Sequence, residues 1–258
     1  MITRVGKILM LACALSLLSL VWALPSRAQD KSEKPVMYTY VAQWNVPRAQ
    51  WPDIEKAYAD QKTLMDKLVA DGTIVGYGSF ITTVHTVDGP THGSWFQAMS
   101  MANLLKALQT VKASGGGMGP VFAASKHWDL LLESKQYGYQ SGTFQGAYLR
   151  VSTWTVKPET GENMETFNKN YMVPLLDKLM ADGAIYGYQI DEQNIHTDNP
   201  MSFNVAILAN GGDGLDKFYA ALDAGEKANP FADAVLGHSV DISQHRDLLA
   251  FVPELTHK

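Results

Sequence analysis

Hydrophobic and polar positions follow two different periods along the chain, and these periods predict strands and helices in turn. Residues 38–46 alternate and are rich in aromatic and β-branched side chains, which is typical of a strand. Residues 53–71 carry apolar side chains at helical spacing, and Gly72 ends that stripe. The rest of this half is predicted to form strands over 73–84 and 94–101, a helix over 102–113 and a last strand over 127–133.

The same order of elements occurs a second time. Residues 65–77 and 176–188 share the pattern Asp-Lys-Leu-x-Ala-Asp-Gly-x-Ile-x-Gly-Tyr, and His-Thr follows both copies at the same distance. Upstream, Trp44 corresponds to Trp154. Several matches in the same order indicate a tandem duplication. The second half is predicted to form strands over 148–156, 184–195, 201–209 and 245–252, with helices over 163–182 and 213–224.

The order β-α-β-β-α-β is that of the ferredoxin-like unit. Such a sheet carries helices on one face only, so two units would bury their bare faces against each other. We therefore expect an α+β fold of two tandem ferredoxin-like repeats packed sheet-to-sheet. The predicted organisation is a first repeat over 37–135, a linker over 136–146 and a second repeat over 147–258.

This order of elements, with its two Asp-Gly-x-Ile-x-Gly-Tyr junctions, resembles the dimeric α+β barrel superfamily in a form where one chain supplies both halves. The resemblance covers residues 37–254 and implies an intrachain pseudo-dimeric barrel. The superfamily includes heme-degrading and quinone-forming monooxygenases, chlorite dismutase relatives, isomerases and binding domains without catalysis. The fold therefore narrows the function very little.

The first residues have the pattern of a secretory signal. Arg4 and Lys7 precede an apolar stretch over 8–24, and Ser26-Arg27-Ala28 supplies small residues for cleavage. We expect a signal peptide over 1–28, a polar tether over 29–36 and a periplasmic or secreted mature protein. A retained membrane anchor and a lipoprotein attached at Cys13 are the alternatives.

Cleavage would change the chemistry that the chain can carry. The segment holds three basic residues and no acidic one, so its loss takes the formal charge from −5 to −8. Such acidity argues against a nucleic-acid partner or an anionic membrane surface. Cleavage also removes Cys13, the only cysteine, and with it any disulfide, thiolate nucleophile or cysteine-ligated metal. No metal site is predicted.

Strand periodicity predicts which side chains share a face. Val41 and Val151 would face the helices, and the opposite positions would line the interior between the sheets. In the second half that interior face gathers polar groups, which indicates a small-molecule pocket, so the first half is expected to be the poorer site. A register shifted by one residue would turn these groups to solvent instead. The expected ligand-binding residues are Arg150, Asn194, Tyr188, Trp154, Tyr40 and His85, and the expected catalytic residues are His196 and Glu192.

Three functions remain open on these residues. The first is binding of a small molecule without catalysis. The second is a cofactor-independent oxygenase-like or isomerase-like enzyme acting on an aromatic or quinone-like substrate, with His196 or Glu192 as base and Arg150 beside an anionic group. The third is non-covalent heme binding through His85 or His196. A structural role for both histidines at a turn is the alternative to all three, and the oligomeric state is undetermined.

The export signal gives a first testable prediction. Protein exported by a bacterial host should begin at Gln29, because cleavage is expected after Ala28. Intact-mass measurement checks this. A mass that includes residues 1–28, or a lipid attached at Cys13, contradicts it.

Overall fold

The computed structural model describes residues 34–196 and 200–258, and for residue 233 only the backbone. The predicted signal peptide and most of the tether lie outside the described residues. In the described part eight antiparallel strands close into a barrel. In chain order the strands are β1 (Met37–Asn45), β2 (Gly76–Thr82), β3 (His92–Ala98), β4 (Lys126–Tyr139), β5 (Gly142–Thr155), β6 (Ile185–Gln193), β7 (Ser202–Ala209) and β8 (Arg246–His257).

The order of strands around the barrel is β1-β3-β2-β8-β5-β7-β6-β4. Each half therefore contributes four neighbouring strands in the ferredoxin-like order, and the pairs β2–β8 and β4–β6 join the halves. Instead of the linker expected over 136–146, β4 and β5 run through this stretch with only residues 140–141 between them, and the two strands do not pair with each other. That the halves arose by duplication stays a prediction.

Helices cover the outer face of the barrel. They are α1 (Trp51–Ala70), α2 (Met101–Ala113), α3 (Pro120–Ala123), α4 (Gly161–Phe167), α5 (Val173–Ala181), α6 (Gly211–Ala228) and α7 (Pro230–Ser239). The repeated Asp-Gly pair ends a helix in both halves, because Gly72 and Gly183 adopt positive φ just after the last turn. Among the described residues no helix is long and apolar enough to cross a membrane.

Pro174 splits the long helix expected over 163–182, as its missing N–H requires. A π-helical turn, Asn168–Met172, separates α4 from α5, and Pro174 lies in the first turn of α5. Such turns accommodate a local break in the hydrogen-bond ladder. The sequence did not predict α7, which begins where Asn229 accepts a hydrogen bond from the Ala232 N–H.

Both joins between the halves contain a β-bulge. The register of β4 against β6 shifts between Ser134 and Gln136, and that of β2 against β8 shifts between Gly78 and Ile81. The extra residue is Lys135 in β4 and one of residues 252–254 in β8. A bulge increases the local twist, which a sheet needs in order to curve into a barrel.

The structure reverses the predicted assignment of strand faces. Val41 and Val151 line the barrel interior, whereas Tyr40 and Arg150 lie on the outer face beneath the helices. The assignment failed because both faces of the strands are covered. All eight residues of β7 are buried, for example. The alternation of apolar residues therefore does not distinguish the face toward the barrel interior from the face toward the helices.

A chain of hydrogen bonds inside the barrel ties the two halves together. Gln97 on β3 donates to Gln189 on β6 over 2.7 Å, and Tyr139 donates to the same oxygen over 2.6 Å. Gln189 in turn donates to Asp191 over 2.6 Å, and the Ser134 hydroxyl donates to the other carboxylate oxygen. We call these five residues the interior network. Because every member has a partner, it closes the barrel without an orphaned polar group.

Asp191 is the ionisable centre of the interior network. It is 1% exposed, and burial raises its pKa to about 7, although the bonds from Ser134 and Gln189 favour the charged form. Desolvation therefore outweighs two hydrogen bonds. Burial also raises the pKa of Tyr139, so its hydroxyl stays a donor.

The raised pKa of Asp191 predicts how stability depends on pH. The folded protein holds this proton up to about pH 7, whereas the unfolded chain releases it near 3.8. Stability should fall as pH rises between these values and level off above them. We expect Asp191→Asn to remove this fall and to raise the free energy of unfolding at about pH 8 by roughly 2 kcal/mol. Urea denaturation at about pH 5 and about pH 8 measures both effects.

The asparagine amide can accept from Gln189 and donate to Ser134, so the network survives the change. Burial lowers the pKa of His92 and His257 from 6.5 to about 4, so the contribution of these two histidines to stability rises with pH between these values. This contribution is the same in the unchanged protein and in Asp191→Asn. Asp60→Asn, at an exposed carboxylate, is the matched control. An unchanged fall in stability in Asp191→Asn contradicts the prediction.

Candidate functional site

The first half leaves a cavity between its sheet and the helices α1 and α2. We call this cavity, of about 660 Å³, the helix–sheet pocket. Its volume is in the range of small-molecule sites. Seven of the residues that line it are aromatic. The aromatic residues that line it are Tyr40, Trp44, Tyr58, Tyr77, Trp95, Phe96 and Phe122.

The pocket is open because the elements that could cover it are short. In the second half, α6 and α7 extend over 18 and 10 residues and pack Phe218 and Ala232 into the core. Their counterparts α2 and α3 have only 13 and 4 residues. The cavity beside β6 and α4 in the second half is about 240 Å³. The expectation that the first half is the poorer site therefore does not agree with the size of the cavities.

A glycine-rich segment forms part of the rim. Gly115, Gly117 and Gly119 all have positive φ, a conformation that side chains with a Cβ rarely adopt. Gly116, Gly117 and Met118 line the pocket, and Met118 is 66% exposed. The sequence Ser-Gly-Gly-Gly-Met-Gly is thus a connection between α2 and α3, with an apolar side chain at the entrance.

A polar group of three residues lies on the sheet side of the pocket. The Tyr40 hydroxyl donates to Asp129 Oδ1 over 2.5 Å, and His127 Nε2 lies 3.0 Å from the same oxygen. The His127 ring stacks on Trp44 with centroids 4.6 Å apart. The strand register explains this grouping, because β1 and β4 pair Trp44 with His127 and Ala42 with Asp129. Asp129 thus fixes the orientation of the histidine, as carboxylates do in many acid–base pairs.

The tyrosine hydroxyls in the pocket are donors. Burial raises the pKa of Tyr40, and the hydrogen bond to Asp129 and its charge raise it further. Burial raises the pKa of Tyr58 as well. The Tyr58 hydroxyl is buried and has no hydrogen-bond partner among the described residues; Ser94 lies near it without normal bonding geometry. A buried unpaired hydroxyl beside a cavity is available to a ligand oxygen.

The other end of the pocket is charged. Lys62 lies 2.7 Å from Glu254 and 3.2 Å from Asp66, and Tyr77 donates to Asp66 over 2.6 Å. The bond to Glu254 raises the pKa of Lys62, whereas the Tyr77 hydrogen bond lowers that of Asp66. The lysine is therefore fully charged and already paired.

The stacked tryptophan, histidine and aspartate occur again in the second half. Trp154 stacks on His245 with centroids 3.7 Å apart, and His245 Nε2 lies 3.3 Å from Asp247. Arg150 takes the place of Tyr40 and pairs with Asp247 over 3.1 Å. Its guanidinium also lies 5.5 Å from the ring centroids of Phe218 and Tyr219. Arg150 thus packs among side chains instead of facing a cavity of the barrel interior.

The remaining predicted site residues lie apart from the helix–sheet pocket. Tyr188 is 1% exposed and donates to Asp177 over 2.6 Å. Asn194 donates to Glu133, while Glu192 and His196 line the small cavity beside α4. The expected interior position of these side chains is wrong for the reason given above.

His85 and His196 lie outside the strands. His85 is exposed in the loop after β2, where it stacks on Trp51 with centroids 5.4 Å apart. His196 is exposed after β6, at the end of the first described range. His92, which precedes the strand predicted over 94–101, begins β3 and is fully buried. A ligand-binding role of His85 or His196 stays a prediction.

Of the residues that line the helix–sheet pocket, Tyr40 is the one that the sequence predicted as ligand-binding. His127 and Asp129 match His245 and Asp247 in the repeat, and such a match was a signal that pointed to them. His127 and Asp129 are two residues apart on β4 and so share a face of the strand. This agrees with the contact between the His127 ring and the Asp129 carboxylate. Tyr58 gave no signal, because an aromatic residue at helical spacing is typical of any core.

The pocket does not offer heme an unengaged histidine. His127 is the histidine that lines it, and its Nε2 is directed at Asp129 while its ring lies on Trp44. His85 and His196 do not line it. Among the described residues no group of three or more histidine, cysteine or acidic side chains is placed to hold a metal ion. The histidine of this pocket therefore does not fit the role of a heme ligand.

No family model and no curated protein sequence matches the chain. Solved structures do. A Fusobacterium nucleatum protein described as a monooxygenase is similar with a TM-score of 0.62 and 9% identity, covering 87% of this chain and 96% of that one. An anthrone oxidase-like protein has a TM-score of 0.53 and 10% identity over 87% and 94% of the two chains.

Chlorite dismutase from Candidatus Nitrospira defluvii, in complex with imidazole, has a TM-score of 0.51 and 11% identity over 84% and 90%. The chain thus shares the fold of an eight-stranded α+β barrel with these solved structures. At these identities the likeness shows the fold alone.

The surroundings of Arg150 predict a structural role. Its side chain is only 14% exposed, and Arg150→Ala would remove the ion pair with Asp247 and the packing against Phe218. We expect a loss of about 2 kcal/mol in the free energy of unfolding, measured by urea denaturation. Lys178→Ala, which breaks a pair exposed on both sides, should lose at most about 0.5 kcal/mol. Equal losses in the two variants contradict the structural role.

Proposed function

We propose that the protein binds a planar aromatic small molecule in the helix–sheet pocket. The observation that carries the proposal is the pocket itself, which is lined by seven aromatic side chains and has a histidine–aspartate–tyrosine group on its sheet side. Flat rings stack well against such walls, because aromatic side chains contribute large apolar area with defined geometry. The Tyr58 hydroxyl would donate to an oxygen of the ligand.

A second candidate is catalysis in the same pocket, and the contact between Asp129 and His127 favours it. With Nε2 directed at Asp129, the other ring nitrogen of His127 can take a proton from a phenol or from an activated CH group. Tyr40 donates to Asp129 and holds it in place, and Tyr58 would stabilise the oxyanion that forms. The resulting electron-rich anion can react with dioxygen without a cofactor, which is the chemistry of a cofactor-independent oxygenase.

The names of two neighbours support this choice of substrate class. One is described as a monooxygenase and another as anthrone oxidase-like. Anthrone is a flat tricyclic ketone with an acidic CH₂ group, so it suits both the aromatic walls and the proposed base. Reaction of anthrone with dioxygen gives anthraquinone and water.

We also infer that the site was retained in only one of two duplicated halves. Trp44, His127 and Asp129 have counterparts in Trp154, His245 and Asp247, but there the pocket is filled and an arginine replaces the tyrosine. This arrangement fits a duplication after which one copy became structural. We further propose that the protein acts after export, because residues 1–28 have the pattern of a signal peptide.

Binding is tested by titrating the protein with anthrone in the absence of oxygen and measuring tryptophan fluorescence, since Trp44 lines the pocket. We expect Tyr58→Phe to weaken binding about tenfold, because a buried hydrogen bond to the ligand is lost. Tyr171→Phe, at a partly buried tyrosine of the second half, should leave the affinity unchanged. No saturable quenching, or equal weakening in both variants, contradicts the proposal.

Catalysis is tested by the absorbance of anthraquinone formed from anthrone in air. His127→Phe keeps an aromatic ring on Trp44 and removes the base, so the rate should fall at least about a hundredfold while binding persists. The equivalent change His245→Phe should leave the rate near that of the unchanged protein. A Soret band in the purified protein would instead support the heme reading, and unchanged activity in His127→Phe would exclude the histidine as base.

A further inference from the structure

A second cavity, separate from the helix–sheet pocket, occupies the barrel interior. This barrel cavity has a volume of about 980 Å³ and is lined by inward-facing residues of all eight strands. Trp128, Asp88 and Arg246 surround its mouth at one end of the barrel, and all three are exposed. Barrels of eight strands are either filled by their own side chains or hold one small ligand. Here the side chains do not fill the space.

The lining of the barrel cavity is divided into an apolar and a polar wall. Phe80 and Trp95 dominate the apolar wall together with aliphatic residues from β4, β5 and β8. The polar wall comes from β6 and β7 and carries Gln189, Asp191 and Asn204. A strand pair with inward polar side chains is unexpected for a core, because burial of such groups is unfavourable unless each finds a partner.

Two polar atoms on this lining lack a partner. Thr39 is 1% exposed, and its hydroxyl has no hydrogen-bond partner among the described residues. The Gln193 amide donates to Ser202 over 2.8 Å, but its oxygen is likewise buried and unpartnered. Both residues line the cavity. Buried unpaired acceptors of this kind are satisfied by a water molecule or by a ligand donor.

The charge of the lining selects the kind of donor. Asp191 is the acidic side chain buried in the cavity, and the described residues place no lysine or arginine beside it. Its oxygens accept from Ser134 and Gln189 and each retains capacity for another donor. Arg246, the cation nearest the mouth, is exposed and donates to the carbonyls of Ser243 and His245.

We infer that the barrel cavity is a binding site for an amphipathic amine, whose ammonium group contacts Asp191 and Gln193 and whose apolar tail lies along Phe80 and Trp95. An ammonium group supplies up to three donors, and the carboxylate of Asp191 and the amide oxygen of Gln193, two residues apart on β6, can accept them. The site goes beyond the proposed function and does not depend on it, because the two cavities lie on opposite faces of the sheet.

Three probes with the same tail and different heads test the inference: octylamine, octanol and octanoate. Isothermal titration calorimetry of the full mature chain near neutral pH should show octylamine binding at least about tenfold more tightly than octanoate, because a second carboxylate beside Asp191 is disfavoured. Asp191→Asn should reduce this preference to about threefold or less. Lys178→Ala, far from the cavity on the surface, serves as control and should retain the preference.

A filling substitution locates the binding. Ala206 lines the cavity on β7, and Ala206→Phe should prevent octylamine binding while anthrone still quenches the fluorescence of the other pocket. If that variant does not fold, the charge test with Asp191→Asn remains decisive. Binding of none of the probes, as expected of a cavity that holds only water, would overturn the inference. Equal affinities for amine and carboxylate would do so as well.

Discussion

Closure of the barrel is the constraint on which the rest of the structure depends. Two four-stranded sheets meet at β4–β6 and β2–β8, and the interior network crosses the first of these joins. A shift of one residue at this join would separate Ser134 from Asp191 and leave a buried carboxylate with one partner fewer. Because an incompletely satisfied buried charge is strongly unfavourable, the network selects one register among several that apolar packing alone would tolerate.

Once the barrel is closed, the length of the covering helices decides where space remains. The outer face of each half has the same stacked tryptophan and histidine and the same aspartate. In the second half, Arg150 pairs with Asp247 and packs against Phe218 of the longer helix α6, whereas short helices and a glycine-rich rim leave an open pocket beside the group in the first half. The same group of residues therefore packs beside an arginine in one half and lines a pocket in the other.

The sequence could predict the elements, their order and the class of fold, because the two periods and the Asp-Gly helix ends are local signals. It could not tell the two faces of a strand apart, since Val41 and Tyr40 are both covered in the folded chain. It also could not predict the site, because the pocket depends on helix lengths that the repeat does not share. Gln189, Asp191 and Gln193 are polar residues at every second position of β6, so they share one face of the strand. This spacing was a signal in the sequence for the polar wall of the barrel cavity.

Trp95 belongs to the lining of both cavities. Its ring lies against Gly78, where a Cβ atom would collide with it, so at this point the wall between the cavities is one ring and one strand thick. A ligand that moves this ring from either side changes the space on the other. The two affinities are then linked, and thermodynamic reciprocity requires that each ligand alter the binding of the other by the same factor.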